Sequence, residues 1–165
     1  MIHLETARLL LRNVQPEDIP IMHDYRNNEL CAKFQRGQVK TLPEITELVQ
    51  KRSTDTLNAE TPAMVAVALK ETNEMVGEIV VMPNAPTLSL GYTFSYRHHR
   101  KGYAFEALSL LIDYLHSLLP EWEFICLTEP ENLPSIALLK KLGYEDLGYA
   151  PKITSQVFGK WAIPE

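Results

Sequence analysis

The 165-residue sequence predicts an α/β domain on a mixed sheet, and three observations predict it. Two apolar, β-rich runs, "PAMVAVALK" and "MVGEIVVM", flank the turn-forming "ETNE", which makes an antiparallel hairpin. From about Gly102 to Leu119 a helical apolar pattern covers most of the circumference, as in a helix buried against a sheet. Behind it comes "EFICLT", a short apolar strand, and a helix joining two strands implies a parallel βαβ crossover.

The elements follow in order. "ARLLLR", Ala7 to Arg12, reads as a short strand with a basic rim. "NVQPEDIPIMHDYRN" starts a helix: Pro16 sits near the first turn, and Glu17 and Asp18 face the positive end of the dipole. Ile19, Met22 and Tyr25 share one face of it. "TLPEITELVQKR" opens on a capping box, Thr41 with Glu44, and carries an Ile45, Leu48, Val49 stripe. The span between these helices, "NELCAKFQRGQVK", has no periodicity and reads as a loop. After the hairpin, "NAP" turns the chain into a third strand, "TLSLGYTFSY". The buried helix presents Ala104, Leu108, Leu111, Ile112, Leu115 and Leu119 on one face and stops at Pro120. A further helix, "NLPSIALLKKLG", has Asn132 as cap, Pro134 in its first turn and Gly143 as stop. "YEDLGY" and "KITSQVFGKW" close the sheet as strands, giving the order βαα-βββ-α-β-α-ββ.

Composition narrows the function. A chain of this length with 45% hydrophobic and 22% charged residues is expected to form one domain over residues 1–165. Lys and Arg total 16 against 21 Asp and Glu, so there is no global basic field for a nucleic acid. An acidic body around one basic patch suits a compact anionic ligand and a cationic second substrate. Cys31 and Cys126 lack metal-type spacing and are expected as reduced thiols in a cytoplasmic protein. "MIHLETARLLLR" is too charged for a signal peptide, and no apolar run is long enough to span a bilayer.

The basic patch has an unusual address. "RHHRK", residues 97–101, runs straight into the N-terminus of the buried helix, an end that normally recruits Asp, Glu, Ser or Thr. No capping side chain precedes Gly102 closely, so the first-turn N–H groups lack partners. Gly102 admits a group close to the main chain, and Ala104 keeps the next turn low. Free donors, a dipole and cations make a phosphate cradle; the alternative is a solvated basic loop before a core helix.

Three stretches together resemble the GNAT superfamily of N-acetyltransferases, in the branch of ribosomal-protein N-terminal acetyltransferases. They are "ETARLLLR", "LGYTFSYRHHRKGYAFEAL" and "EPENLPSIALLKKLGY", which span nearly the whole chain. The resemblance implies a GNAT fold: a mixed, mostly antiparallel sheet with a splayed central strand pair and flanking helices. It implies acetyl-CoA as acetyl donor, with its pyrophosphate held by main-chain groups from His99, Arg100 and Lys101 through Gly102, Tyr103, Ala104 and Phe105. Pantetheine would pair with the strand of Thr93 and Phe94. Asn132 is a helix cap by its residue type and a coenzyme contact by resemblance. Ser135 would reprotonate the departing sulfur, since the tyrosine used by many relatives falls at Leu139. The loop departs from the family pattern at His99, at Arg100 where glycine is usual, and at Phe105 where a hydroxyl is common.

The implied chemistry is direct attack of an amine on the thioester in a ternary complex, without a metal. An α-amine has a pKa near ~8 and a lysine near ~10.4, so the demand on a base depends on the acceptor. Relatives often place an acid just before the Gly-Tyr of this strand, where "LSLGY" has Ser89 instead. Glu129 and Glu78 are the remaining carboxylates to consider. Adjacent His98 and His99 diverge in a loop, and His3, His23 and His116 complete no ligand set with them. The acceptor is expected to be a protein N-terminus or a small-molecule amine, and the closing strands offer an edge for a homodimer. A non-catalytic acyl-CoA-binding module is the alternative.

Overall fold

The computed structural model describes residues 1–161. Strands β1 (Ile2–Glu5) and β2 (Leu9–Asn13) are followed by helices α1 (Ile19–Arg26), α2 (Glu29–Ala32) and α3 (Leu42–Arg52). Then come β3 (Ala63–Leu69), β4 (Met75–Asn84), β5 (Thr87–Phe94), α4 (Tyr103–Leu118), β6 (Glu123–Thr128), α5 (Leu133–Lys141), β7 (Glu145–Ala150) and β8 (Ser155–Trp161). All eight strands join one sheet in the order β1-β2-β3-β4-β5-β6-β8-β7. The β5–β6 pair alone is parallel, and α4 is its crossover.

Two apolar clusters lie on opposite faces of this sheet. Strand β3 is buried on both sides, because its period of two sends Val65 and Val67 to one cluster and Met64 and Ala66 to the other. Val65 and Val67 share theirs with Leu108, Leu111 and Leu115 of α4 and Leu139 of α5. Met64 and Ala66 meet Met22 and Tyr25 of α1 and Ile45 and Val49 of α3. Two buried ion pairs brace the second face: Arg12 grips Asp18 through two bonds of 2.8 and 2.9 Å, and Arg26 donates to Glu78.

The structure adds two elements to those the sequence predicts. β1 pairs with β2 ahead of the expected first strand. Within the expected loop, α2 makes one helical turn, where Asn28 accepts from the Leu30 N–H at 3.0 Å. The buried face of α4 also shifts, with Ala107 and His116 inside in place of Ala104 and Leu119. His116 earns that position by stacking on Phe124 with ring centroids 3.6 Å apart.

The sheet opens at its centre. β5 pairs with β6 only through Thr87–Glu123, Leu88–Phe124 and Ser89–Ile125. Beyond Ser89, β5 stays on β4 as far as Phe94, while β6 stays on β8 as far as Thr128. The two halves therefore diverge as a wedge. Gly77 on β4 sets one wall: a Cβ there would lie 2.6 Å from the Phe94 ring and 2.8 Å from the Thr93 carbonyl oxygen. No helix among the described residues is long and apolar enough to cross a membrane.

Candidate active site

One end of the wedge meets the N-terminus of α4. Gly102 is the N-cap at φ 78°, and no side chain caps the helix. The Glu106 N–H returns to the Gly102 carbonyl at 3.0 Å, which leaves the N–H groups of Tyr103, Ala104 and Phe105 at the open end. Arg100 stands at φ 65°, a left-handed conformation that a non-glycine residue adopts at a cost of about 1–2 kcal/mol. The resemblance noted glycine at that position, and the backbone keeps the glycine-like shape although the side chain has changed.

The basic residues of the loop divide into paired and unpaired. Arg97 donates to Asp24 at 3.0 Å, and His98 lies 3.8 Å from Glu74. Both line a cavity of about 380 Å³ behind the loop, together with Asp24 and Glu74. The His99 ring meets the Phe94 carbonyl oxygen at 2.8 Å. Among the described residues Arg100 and Lys101 make no side-chain hydrogen bond or ion pair, and both are exposed beside the cradle. A further cation joins from the other end of the chain. Arg8 lies over the Tyr103 ring at 4.6 Å, close to Gly102, and is fixed by Glu106 at 2.8 Å. Burial pushes the Glu106 carboxyl upward, but hydrogen bonds from Thr6 and Arg8 outweigh it and hold the pKa below its usual value. Arg8 was missed as a site residue because ninety-four positions separate it from Gly102, and its only signal was the basic rim of the first strand.

Along the wedge the alternation of β5 decides which groups are available. Ser95 donates its N–H to Val76 on β4, so the odd residues of β5 turn their main chain toward β4. The main-chain groups of Leu90, Tyr92 and Phe94 therefore point into the wedge, and those of Thr93 do not. Thr93 is buried, and its hydroxyl accepts from Gln38 at 2.8 Å. Side chains already touch the wedge-facing carbonyls: the Cys126 thiol reaches Leu90 at 3.6 Å, and Gln35 donates to Tyr92 at 3.3 Å. Burial raises the Cys126 thiol to about 11, consistent with a core thiol.

Residues 33–40 lie across the wedge as a strap. Gln35 and Gln38 tie it to β5, and Arg36 ties it to the opposite side. The Arg36 guanidinium donates to Glu129 at 2.7 Å, to the Ile153 carbonyl at 3.1 Å and to the Thr154 carbonyl at 2.6 Å. Nothing in the aperiodic loop sequence signalled these contacts. They give Glu129 a partner on Oε1 and leave its Oε2 without a hydrogen bond among the described residues. Glu78 is placed differently: it is 2% exposed and takes hydrogen bonds from Tyr25 and Arg26. It has no face left for a substrate.

The second predicted stretch borders the same wedge. Asn132 caps α5, its side chain accepting from the Ser135 N–H at 3.3 Å, an arrangement that stabilises by about 1 kcal/mol. Ser135 in turn lies 2.6 Å from the Tyr92 hydroxyl of β5. Uncapped donors, splayed main chain and a paired hydroxyl thus share one opening. Such an opening can hold a long ligand with an anionic end and present its other end to a hydroxyl and a carboxylate.

Comparison with known proteins agrees with this arrangement. Residues 8–145 match the acetyltransferase (GNAT) domain family. The uncharacterised N-acetyltransferase YnaD of Bacillus subtilis is 28% identical over 153 residues, covering 92% of this chain and 87% of its own. An acetyltransferase of the GNAT family from Bacillus anthracis superposes with a TM-score of 0.81 at 25% identity, over 98% of both chains. RimL, a ribosomal L7/L12 α-N-protein acetyltransferase solved in complex with coenzyme A, has the same fold, with a TM-score of 0.81 at 15% identity over 99% of this chain and 100% of its own. Fold, family match and relatives agree: the protein belongs to the GNAT family of acetyltransferases, enzymes of acyl transfer that draw on an acyl-CoA.

Proposed function

We propose that the protein transfers an acetyl group from acetyl-CoA to a primary amine, either a protein N-terminal α-amine or that of a small molecule, by direct attack in a ternary complex. The observation that carries this reading is the wedge between β5 and β6, which ends on an uncapped helix N-terminus. The N–H groups of residues 103–105 and the cations Arg8, Arg100 and Lys101 take the pyrophosphate, in an electrostatic setting that only an anion makes favourable. A groove of about 130 Å³ lies beside Phe105 and Ser109, where Lys141 and Lys160 stand with Asp113. Pantetheine lies against the main chain of Tyr92 and Phe94, with Thr93 buried behind and Asn132 opposite. Donors of the splayed strand polarise the thioester carbonyl.

The acceptor ammonium first gives one proton to Glu129 Oε2 or to water. The free amine nitrogen then bonds to the acyl carbon and loses its second proton to water, the C–S bond breaks, and the sulfur takes the hydroxyl proton of Ser135. Solvent returns a proton to Ser135. An α-amine, with a pKa near ~8, makes less demand on the first step than a lysine near ~10.4.

Thiol release from acetyl-CoA over a panel of amines (peptides with free N-termini, polyamines, aminoglycosides and free amino acids), with mass analysis of the product, tests the reading. The expected result is one acetyl group added to one class of amine. Ser135→Ala should lower kcat well beyond its effect on coenzyme affinity; equal losses would assign Ser135 to binding. Tight coenzyme binding with no thiol release across the panel would leave a binding module in place of the enzyme.

A further inference from the structure

The pairing of Tyr92 with Ser135 crosses the wedge from β5 to α5, and nothing in the sequence linked these two residues. Their oxygens are 2.6 Å apart. Neither hydroxyl has another hydrogen-bond partner among the described residues. Either oxygen could donate, and we take Tyr92 as the donor to Ser135 Oγ because a phenol is the stronger acid of the two. Burial, with a contribution from the neighbouring Cys126, raises the Tyr92 pKa and keeps that proton in place at working pH. Ser135 Oγ then accepts from Tyr92, and its own proton must point to some third group. We place that proton toward the wedge, which Ser135 borders.

We propose that Tyr92 is the positioning residue for Ser135: its hydroxyl, 2.6 Å from Oγ, turns the serine proton toward the departing sulfur. The proposal rests on the assignment of Ser135 as the proton donor. As the C–S bond breaks and the sulfur takes the serine proton, the Tyr92 hydrogen bond shortens onto the oxygen that is gaining charge. The Tyr92 proton follows onto that oxygen, the phenol being the stronger acid, and a proton from solvent then restores Tyr92, so that neither hydroxyl is changed over the turnover. Its ring packs against the α4-side core, so Tyr92→Phe removes one oxygen and keeps the packing.

The test is a double-mutant cycle of Tyr92→Phe and Ser135→Ala, read as kcat and KM with acetyl-CoA and the best amine of the panel. Tyr92→Phe is expected to lower kcat about fivefold to tenfold, the range of one neutral hydrogen bond, with KM for acetyl-CoA changed less than about twofold. In the Ser135→Ala background the same change should have no further effect. A loss that persists in that background, or one carried by KM, overturns the inference. A fluorinated tyrosine placed at 92, which keeps the ring but ionises at lower pH, gives a second readout should Tyr92→Phe fail to fold. Its kcat should fall at alkaline pH where the wild type stays level, and coincident profiles would overturn the inference. If Ser135→Ala alone leaves kcat unchanged, or no amine is acetylated, the underlying assignment fails first and this one fails with it.

Discussion

Gly77→Ala is the change that most directly asks whether the wedge wall matters. The new methyl would sit 2.6 Å from Phe94 Cδ1, 2.8 Å from the Thr93 carbonyl oxygen and 2.9 Å from Phe94 Cγ, all inside ordinary contact. The ring can turn away, but the Thr93 carbonyl is main chain and must retreat by about 0.6 Å to relieve the overlap. Overpacking of this kind costs ~1–3 kcal/mol, which for a chain of this size is a fall in Tm of about 2–12 °C. The displaced segment is the one expected to align pantetheine, and misplacement by about 1 Å can cost on the order of a hundredfold in rate. Thermal melts, calorimetric titration with coenzyme A and steady-state kinetics read the three effects separately. Gly91→Ala on β5 is the stability control, because its methyl would meet only Met82 Cε at 3.9 Å. A Gly77→Ala protein that melts, binds and turns over like the wild type would refute the idea that this close approach shapes the site.

Two further outcomes follow from particular residues. Burial, and then the charge of Lys160, lowers the His116 pKa below the usual histidine value of 6.5. The unfolded chain therefore binds this proton more readily than the folded one, so stability is full above about pH 6.5 and falls as pH drops through it. His116→Gln should reduce that dependence in melts from about pH 7.5 to 5.5, leaving the share of His3, whose pKa is also lowered, by burial and then the N-terminal charge. An unchanged slope would exonerate His116. Arg36→Ala removes the staple of the strap. Its side chain is 49% exposed, so its ion pair contributes only ~0–1 kcal/mol and Tm should barely move. KM for the acceptor amine should nonetheless rise several-fold in steady-state assays, and an unaltered KM would show that the strap does not shape acceptor binding.

The sequence exposed the framework because the framework is local. Thr41, Asn132 and Gly102 act within a turn of where they stand, and helical or alternating periodicity belongs to each element by itself. The crossover at α4 was legible for the same reason, since chain order and handedness leave little choice. What escaped was non-local. Glu129 is paired by Arg36 and Ser135 by Tyr92, across sequence separations of 93 and 43. Glu78 looked as available as Glu129 in the sequence, and only the fold shows that Tyr25 and Arg26 consume it. The register of β5 adds a finer point: Thr93 and Phe94 were expected together along the splayed strand, and alternation turns the Thr93 peptide toward β4 and those of Tyr92 and Phe94 away from it.

The cations before α4 show how a local oddity resolves at the level of the fold. Five ionisable side chains at the positive end of a helix are unfavourable if all of them act there. The fold withdraws three. Asp24 takes Arg97, Glu74 faces His98, and His99 turns to the Phe94 carbonyl. What stays near the open N–H groups is Arg100 and Lys101, with Arg8 brought in from β2's edge and restrained by Glu106. Glu106 has a double effect. In the first turn it offsets the dipole, and by gripping Arg8 from the side it keeps that cation beside the cradle without filling it. Arg100 adds backbone strain of about 1–2 kcal/mol, and its exposed side chain makes no hydrogen bond or ion pair among the described residues. Strain and like-signed partial charges concentrated on one exposed turn are hard to account for as a stabilising loop. They fit the proposed reading, in which this turn is a binding surface for an anion in place of an optimal helix start.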